Sequence, residues 1–208
     1  MADRPIASFS LVHGAWGGGW GWGPLRAELE ARGHLVHTPD LPCEDVGATV
    51  EDYAAAVRPA DVAVGHSLGG LTIPLVDAPT RVFLCALVGG TGWHGVFAPG
   101  FGDGSVRDEL GRSYYPDPAV AAAEFQYPPD QAGLAARLRR QAPLDAPLPT
   151  LSGRVVYVIC TQDAVIRPEW QRHLAVDVLG AEVVELEAGH SPMLTHAREL
   201  AELLDALA

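Results

Sequence analysis

The residue types that could carry chemistry centre on a serine in a glycine-flanked turn. Gly65-His66-Ser67-Leu68-Gly69 fits the pattern G-x-S-x-G and follows a short apolar run, residues 62–64, that is typical of a buried strand. Small residues two positions before and after the serine allow a strained turn that lifts its hydroxyl above the sheet edge. We therefore interpret Ser67 as a candidate nucleophile.

A serine hydroxyl is a weak nucleophile at neutral pH, so it needs a base, and that base needs a carboxylate to fix its tautomer. Asp163 and His190 each follow a strand-like run later in the chain, which gives the chain order serine, acid, histidine. Because the carboxyl ends of parallel strands lie at one edge of a sheet, we expect the three side chains to meet there. The sequence predicts a triad of Ser67, Asp163 and His190.

Other histidines and one aspartate are weaker candidates for these roles. His66 neighbours the serine, but adjacent side chains in a tight turn point apart. His196 falls inside the predicted last helix, and His13 is better suited to supporting a loop than to moving protons. Asp77 is the fallback acid. His34 and His37 are expected at the surface or at strand ends.

A loop rich in glycine and tryptophan, residues 13–22, follows the first predicted strand. Glycine allows a backbone to approach a ligand closely, and an early histidine–glycine loop can supply one N–H to an oxyanion while the residue after the serine supplies the other. We predict Ala15, with Trp16 as its alternative, and Leu68 as these donors. The loop tryptophans either line the pocket or pack as core.

Strand-like and helix-like segments alternate along the chain, which predicts an α/β fold with a mostly parallel, doubly wound sheet and helices on both faces. Residues 91–150 lack clear periodicity and are rich in glycine, proline and aromatic residues, so we expect a lid insertion within a single domain spanning 1–208. Strands are predicted at 7–12, 34–38, 62–64, 81–88, 154–160 and 181–186. Helices are predicted at 24–33, 49–57, 119–125, 134–140, 168–178 and 192–207, with a further one after the serine, kinked or shortened at Pro74.

The composition limits the classes of partner. With 208 residues, 48% of them hydrophobic, the chain is long enough to bury a full core. A formal net charge of −12 argues against nucleic acids and anionic membrane surfaces. No apolar run approaches a membrane span and the N-terminus has no signal-peptide core, so we expect a cytoplasmic protein. The cysteines, at positions 43, 85 and 160, are best interpreted as free thiols, two of them buried in strands.

Taken together, these motifs resemble the α/β-hydrolase superfamily, and within it the plant methyl-ester esterase and hydroxynitrile lyase group with its bacterial relatives. The resemblance covers both halves of the core, fades in residues 91–150, and implies Ser67, Asp163 and His190 as the triad with Ala15 and Leu68 as oxyanion donors. Lyases of the group carry a threonine after the loop histidine and a lysine after the catalytic histidine; Gly14 and Ser191 stand there, which favours a hydrolase. The resemblance is carried by residues 11–15, 19–22, 65–70, 160–163, 166–172 and 189–190.

The sequence thus predicts an esterase that hydrolyses a small carboxylic ester through an acyl-enzyme on Ser67. Neither a metal nor an organic cofactor is implied, and the expected partner is a small-molecule substrate, with the oligomeric state left open. Two other hypotheses stay open: a non-hydrolytic enzyme of the same fold (lyase, cyclase or acyl transfer), and a ligand-binding module without turnover.

Overall fold

A six-stranded, fully parallel sheet forms the centre of the fold. The computed structural model describes residues 6–208; the stretch that bears on a signal peptide, residues 1–5, lies outside the described residues. Two further short strands, β5 (Val106–Arg107) and β6 (Ser113–Tyr114), pair antiparallel in a separate hairpin. The sheet strands are β1 (Ser8–Val12), β2 (Leu35–His37), β3 (Val62–His66), β4 (Thr80–Leu84), β7 (Arg154–Cys160) and β8 (Glu182–Leu186).

The strand order is β2-β1-β3-β4-β7-β8, so the chain reverses direction across the sheet at β1. From β1 it passes to one side to form β2 and then crosses back to form β3. A crevice opens outside the carboxyl ends of the strands at such a reversal, here between β1 and β3. The loop after β1 and the turn after β3 therefore meet at one place.

Both faces of the sheet are covered, because alternate residues of the central strands enter two different cores. Val64, Val82 and Val156 pack against α1 (Gly23–Ala31) and the C-terminal helix on one face. Phe83 and Tyr157 point to the other face, where their rings stack with centroids 6.2 Å apart. The prediction of a parallel sheet with helices on both faces is confirmed.

Helices form where the sequence provides start signals. Pro24 is the second residue of α1 (Gly23–Ala31) and Pro168 is the first of α4 (Pro168–His173), both first-turn positions where the missing N–H has no cost. Thr49 and Asp52 form a reciprocal capping box that starts α2. The α-helices are α1 (Gly23–Ala31), α2 (Val50–Ala55), α3 (Pro118–Glu124), α4 (Pro168–His173), α5 (Pro192–Thr195) and α6 (Ala197–Asp205).

Five predicted elements differ in the structure. The helix predicted at 168–178 is α-helical to His173 and continues as a π-helix over Leu174–Val178. The strand predicted at 81–88 ends at Leu84, because Cys85 has a φ of +36°. The segment after β3 forms two short 3-10 turns, Ser67–Leu71 and Ile73–Leu75, instead of one helix, since glycines and Pro74 interrupt it. The helix predicted at 134–140 is a 3-10 segment, Pro129–Arg137. The last predicted helix is divided at His196, where the backbone leaves the helical region.

Residues 91–150 lie over the carboxyl edge of the sheet and share its hydrophobic core. Tyr115, Phe125 and Leu144 belong to the same buried cluster as Phe83 and Tyr157. A β-bridge between Phe97 and Ile166 joins the start of this segment to the loop after β7. Within residues 6–208, none of the helices has the length and apolarity needed to cross a membrane.

Candidate active site

Ser67 is the first residue after β3 and lies in the left-handed region, with a φ of +51°. The two glycines of its motif allow this turn to form. A Cβ at Gly65 would lie 2.7 Å from the carbonyl oxygen of Gly69, and a Cβ at Gly69 would lie 2.5 Å from that of Val12. Larger residues at these two positions would push the turn away from β1. The positive φ of Ser67 is therefore possible because both flanking residues are glycines.

The predicted acid and base are joined by a buried hydrogen bond. His190 Nδ1 lies 2.8 Å from Asp163 Oδ2, and the two residues are 1% and 5% exposed. The other carboxylate oxygen, Oδ1, accepts the backbone N–H groups of Val165 at 2.7 Å and Ile166 at 3.0 Å. With Asp163 as the acceptor of the bond to His190, His190 Nδ1 is the donor and Nε2 is left as the nitrogen without a proton.

Ser67 and His190 line the same small cavity. Among the hydrogen bonds of the described residues there is none between Ser67 Oγ and the His190 ring. The fold brings the two side chains to one cavity wall, and a catalytic hydrogen bond of this kind often tightens only when substrate is bound.

The His66 side chain contacts the backbone of His190 and does not act as a partner of Ser67. Its Nε2 donates to the carbonyl oxygen of His190 at 2.8 Å, and the two imidazole rings have centroids 4.7 Å apart. Burial lowers the pKa of His66 well below its usual value, and the nearby His190 adds to this. His66 is therefore a neutral donor that supports the loop carrying His190.

The loop after β1 reaches Ser67 closely. A Cβ at Gly14 would lie 2.8 Å from the Cβ of Ser67, so a larger residue would separate the loop from the serine. His13 holds the loop: its Nδ1 donates to Gly14 O at 2.8 Å, and its Nε2 accepts the Leu41 N–H at 3.0 Å. Burial lowers the pKa of His13 to about 4, which keeps it neutral. The prediction that His13 supports this loop is confirmed.

The two predicted oxyanion donors border the cavities at Ser67. Ala15 lines both of the cavities that meet there, and Leu68 lines the larger one. Across residues 6–208, neither backbone N–H donates a hydrogen bond to another protein group. Both N–H groups therefore keep their hydrogen-bonding capacity for a ligand.

Two cavities of different size meet at Ser67. The smaller cavity has a volume of about 50 Å³ and is lined by His66 and His190. The larger has a volume of about 380 Å³ and extends under residues 91–150. Ala15, Trp16 and Ser67 lie in the wall between them. The smaller cavity is also lined by Trp20, Trp22, Tyr127, Leu138, Met193 and Leu194. The larger is also lined by Trp93, Phe97, Phe101, Leu87, Leu144 and Val165.

Several other sequence predictions are resolved by position. Asp77 precedes β4 and so lies at the opposite edge of the sheet from Ser67, which makes it wrong as a fallback acid. His34 lies directly before β2, at a strand end as one predicted alternative has it, and is buried: its Nε2 contacts Asp205 at 3.0 Å and its Nδ1 accepts the Ala7 N–H. All three cysteines are buried free thiols, as predicted for Cys85 and Cys160.

One group of side chains in the described part of the chain could offer three donor atoms to a metal: His66, Cys85 and His190, whose ligand atoms lie within 4.8 Å of one another. The same atoms already have other tasks. His66 Nε2 and Cys85 Sγ both donate to the His190 carbonyl, and burial raises the pKa of the Cys85 thiol well above its usual value. A protonated thiol is a poor metal ligand, so this group is better described as a hydrogen-bonded support for His190.

Sequence reasoning missed Gln171, a fully buried residue of α4 that holds the acid. Its Nε2 donates to Asp163 Oδ2 at 2.9 Å and to Ile166 O at 2.7 Å, while its Oε1 accepts the Cys160 N–H at 2.9 Å. These bonds tie the end of β7 to the Asp163 loop. A glutamine at a helical position carries no pattern that would reveal this role.

Comparison with known proteins agrees with this fold. Residues 11–203 match the model of the alpha/beta hydrolase family. The chain is 30% identical to salicylic acid-binding protein 2 of Nicotiana tabacum, covering 95% of each chain, and 25% identical to methylesterase 3 of Arabidopsis thaliana, covering 93% of each. The crystal structure of polyneuridine aldehyde esterase superposes with a TM-score of 0.84 at 23% identity, over 98% of this chain and 100% of that one. The resemblance inferred from the motifs, and the fold class, are confirmed.

Proposed function

The chain belongs to the alpha/beta hydrolase family, and from this premise we propose that it is a serine esterase. In the proposed reaction, Ser67 Oγ attacks the ester carbonyl while His190 Nε2 takes its proton. Asp163 holds the imidazole and stabilises its charged form. The N–H groups of Ala15 and Leu68 bind the oxyanion, and the loss of one such donor typically costs about 10²–10³ in rate. Water then releases the acid from the acyl-enzyme.

The observation that carries the proposal is the place of Ser67 between its two cavities, with His190 on the side of the smaller one. The histidine returns its proton to the departing alcohol, so the alcohol must leave on the histidine's side. The smaller cavity therefore fits a small alcohol group such as methyl. The larger, aromatic cavity fits a bulkier apolar acyl group.

We assign acyl selectivity to residues 91–150, which we treat as a lid within one domain. Trp93, Phe97 and Phe101 come from this segment and line the larger cavity. Their rings form an edge-to-face and stacked series, Trp93–Phe97 at 6.4 Å and Phe97–Phe101 at 5.3 Å between centroids. Such a wall favours aromatic or branched acyl groups.

The residues at two positions, 14 and 191, favour a hydrolase over a lyase. Gly14 has no side chain to offer a cyanohydrin hydroxyl, and Ser191 is committed to a hydrogen bond with Phe125 O at 2.7 Å. No positive charge follows His190 to stabilise a departing cyanide ion. The names of the two curated relatives, a methylesterase and a salicylic acid-binding protein, support a small ester of an aromatic or apolar acid.

The proposal is tested with a matrix of esters that varies the alcohol and the acid independently. We expect kcat/KM to fall as the alcohol grows from methyl to isopropyl to benzyl, and to tolerate an aromatic acid. Ser67→Ala should abolish turnover of every ester. A preference for large alcohols would contradict the assignment of the cavities. Turnover that is unaffected in Ser67→Ala, or tight ligand binding without any turnover, would contradict the esterase itself.

A further inference from the structure

A short lid segment, Phe125–Gln126–Tyr127, is hydrogen-bonded to both loops that carry the acid and the base. Gln126 Oε1 accepts two backbone N–H groups, that of Ala164 at 2.9 Å and that of His190 at 2.9 Å. Gln126 Nε2 donates to Gln162 O at 3.1 Å. One side-chain amide thus joins the loop after β7 to the loop after β8, on either side of the bond between Asp163 and His190.

The backbone around Gln126 is adapted to this contact. Gln126 has a φ of +55°, a region that disfavours residues with a side chain. On the opposite side, a Cβ at Gly189 would lie 2.8 Å from Gln126 Cδ, so only glycine leaves room for the amide. The strained residue and the missing side chain together place the amide against the base loop.

We propose that Gln126 is a positioning residue, which sets the distance between the acid and base loops and couples it to the lid. The proposal rests on the esterase function proposed above. Because one oxygen accepts an N–H from each loop, a change in the position of either loop must break a bond. A backbone N–H that loses its acceptor is unfavourable, so the two bonds resist such a change.

The same segment lines the smaller cavity through Phe125 and Tyr127, and its aromatic contacts connect the lid to the site. The Phe125 ring lies 6.4 Å from the His190 ring and 5.6 Å from the Trp16 ring, centroid to centroid. Phe125 O also accepts the hydroxyl of Ser191, the residue after the base. An acyl group that orders the lid aromatics would therefore also hold the loop that carries His190.

Two substitutions separate the side chain of Gln126 from its backbone. Gln126→Ala removes the amide and keeps a side chain at a positive φ, whereas Gln126→Gly removes the amide and relieves the backbone. If the amide positions the base, both should lower kcat at least about tenfold, with KM changed less than about threefold. Gln131→Ala is the matched control, because the amide of this second lid glutamine makes a single bond of 3.4 Å, to Leu194 O.

A third substitution, Gln126→Glu, tests whether the side chain at position 126 lies close enough to His190 for its charge to affect the imidazole. Glutamate still accepts both N–H groups but adds a negative charge beside His190, which favours the imidazolium. The acid limb of the pH–rate profile should therefore move to higher pH. The titratable groups already facing His190 are Asp163, His66 and Cys85, and none of them is changed by this substitution.

NMR titration of the histidine rings, with His190 assigned from a His190→Ala variant, measures the same shift without turnover. The charged neighbour of Gln126 in sequence, Glu124, is bonded to Gly102 N, Gly104 N and the Tyr115 hydroxyl. Glu124 is present in both wild type and Gln126→Glu, so it cannot cause a difference in the His190 midpoint between them. A residue with only a structural role would alter stability and leave the His190 midpoint in place.

The outcomes distinguish this proposal from the esterase itself. A lower kcat in both Ala and Gly variants, with a shifted His190 midpoint in Gln126→Glu, supports the positioning role. Full activity in Gln126→Gly, or an unmoved midpoint, overturns it while the esterase stands. If wild type hydrolyses no ester and Ser67 takes no phosphonate, the esterase falls, and the ring titration still decides whether Gln126 acts on His190.

Discussion

Three histidines near Ser67 have three different tasks, which are set by the partners of their ring nitrogens. His190 gives Nδ1 to Asp163 and keeps Nε2 for chemistry. His66 donates Nε2 to the backbone of the base loop. His13 uses both nitrogens to hold the loop after β1. Only the first of these arrangements leaves a basic nitrogen free beside the serine, which supports its assignment as the base.

The buried, neutral His13 should make the protein less stable in mild acid. Its pKa falls from the usual 6.5 to about 4 on folding, so between these values the unfolded chain binds more protons than the folded one. The free energy of unfolding should therefore decrease as the pH falls from about 7 to about 4.5, by about 2–3 kcal/mol from His13 alone. Urea unfolding at the two pH values measures this.

His13→Gln is the control for this effect, since an amide keeps a donor and an acceptor without titrating. His66 and other groups change equally in both proteins, so the difference between wild type and variant isolates His13. An equal loss of stability in both would show that His13 does not carry the effect.

The sequence was sufficient to predict where a residue lies when that residue follows the end of a strand. It was insufficient for residues whose role depends on a contact with a distant segment. Ser67, Asp163 and His190 each follow a recognisable apolar run, and one sheet edge collects them. Gln126 and Gln171 bond to backbone and side-chain groups of other segments, which leaves no periodic pattern. His34 lies at a strand end, as one of its two predicted alternatives has it, but the sequence could not show its burial, which depends on the C-terminal helix.

Among the elements, the turn after β3 is the most tightly determined by its neighbours. Gly69 packs against the end of β1, where a Cβ would lie 2.5 Å from Val12 O and 2.8 Å from His13 O. Both contacts are to backbone, which cannot move aside cheaply. The position of Ser67 and the position of the loop after β1 are therefore set by one glycine.

Gly69→Ala should displace the turn from β1 and lower both stability and activity. We expect a loss of about 1–3 kcal/mol in the free energy of unfolding, with a fall in kcat because Ser67 and the loop after β1 no longer meet. Denaturant unfolding and ester hydrolysis measure the two effects. Gly133→Ala is the control, since a Cβ there meets nothing within 4 Å and its φ is not positive; equal behaviour of the two variants would contradict the account.

The type of element after Ser67 was less predictable than its position. A strand–turn–helix sequence is usual for this motif, but Gly69 and Gly70 weaken helical structure and Pro74 lacks the N–H that a helix would use. The strand predicted at 81–88 was too long for a related reason. The apolar run continues past Leu84, whereas the backbone turns at Cys85. An apolar pattern predicts which residues are buried, but it does not predict their φ angles.

At the scale of the whole molecule, the lid and the sheet share one core. Tyr115, Phe125 and Leu144 of residues 91–150 are buried in the cluster that contains Phe83 and Tyr157 of the sheet. Further bonds from Gln126 and the Phe97–Ile166 bridge join the lid to the loop after β7. The sequence distinguished residues 91–150 by composition but could not show how closely they pack on the sheet.

This shared core predicts a single cooperative unfolding transition. If residues 91–150 and the sheet form one domain, thermal unfolding followed by far-UV circular dichroism and by tryptophan fluorescence should give coincident curves. The calorimetric and van't Hoff enthalpies should agree. A separate early transition seen only by fluorescence would indicate that the lid unfolds alone and would contradict the single-domain assignment.

The most direct test of the account is covalent labelling of the nucleophile, because it needs no knowledge of the substrate. A fluorophosphonate is incubated with wild type, Ser67→Ala and His190→Ala, and the adduct is measured by intact mass and peptide mapping. We predict one equivalent on Ser67 in wild type, none in Ser67→Ala, and labelling at least about 10²-fold slower in His190→Ala. Undiminished labelling in Ser67→Ala, or an unreactive wild type, would contradict the claim that Ser67 is an activated nucleophile.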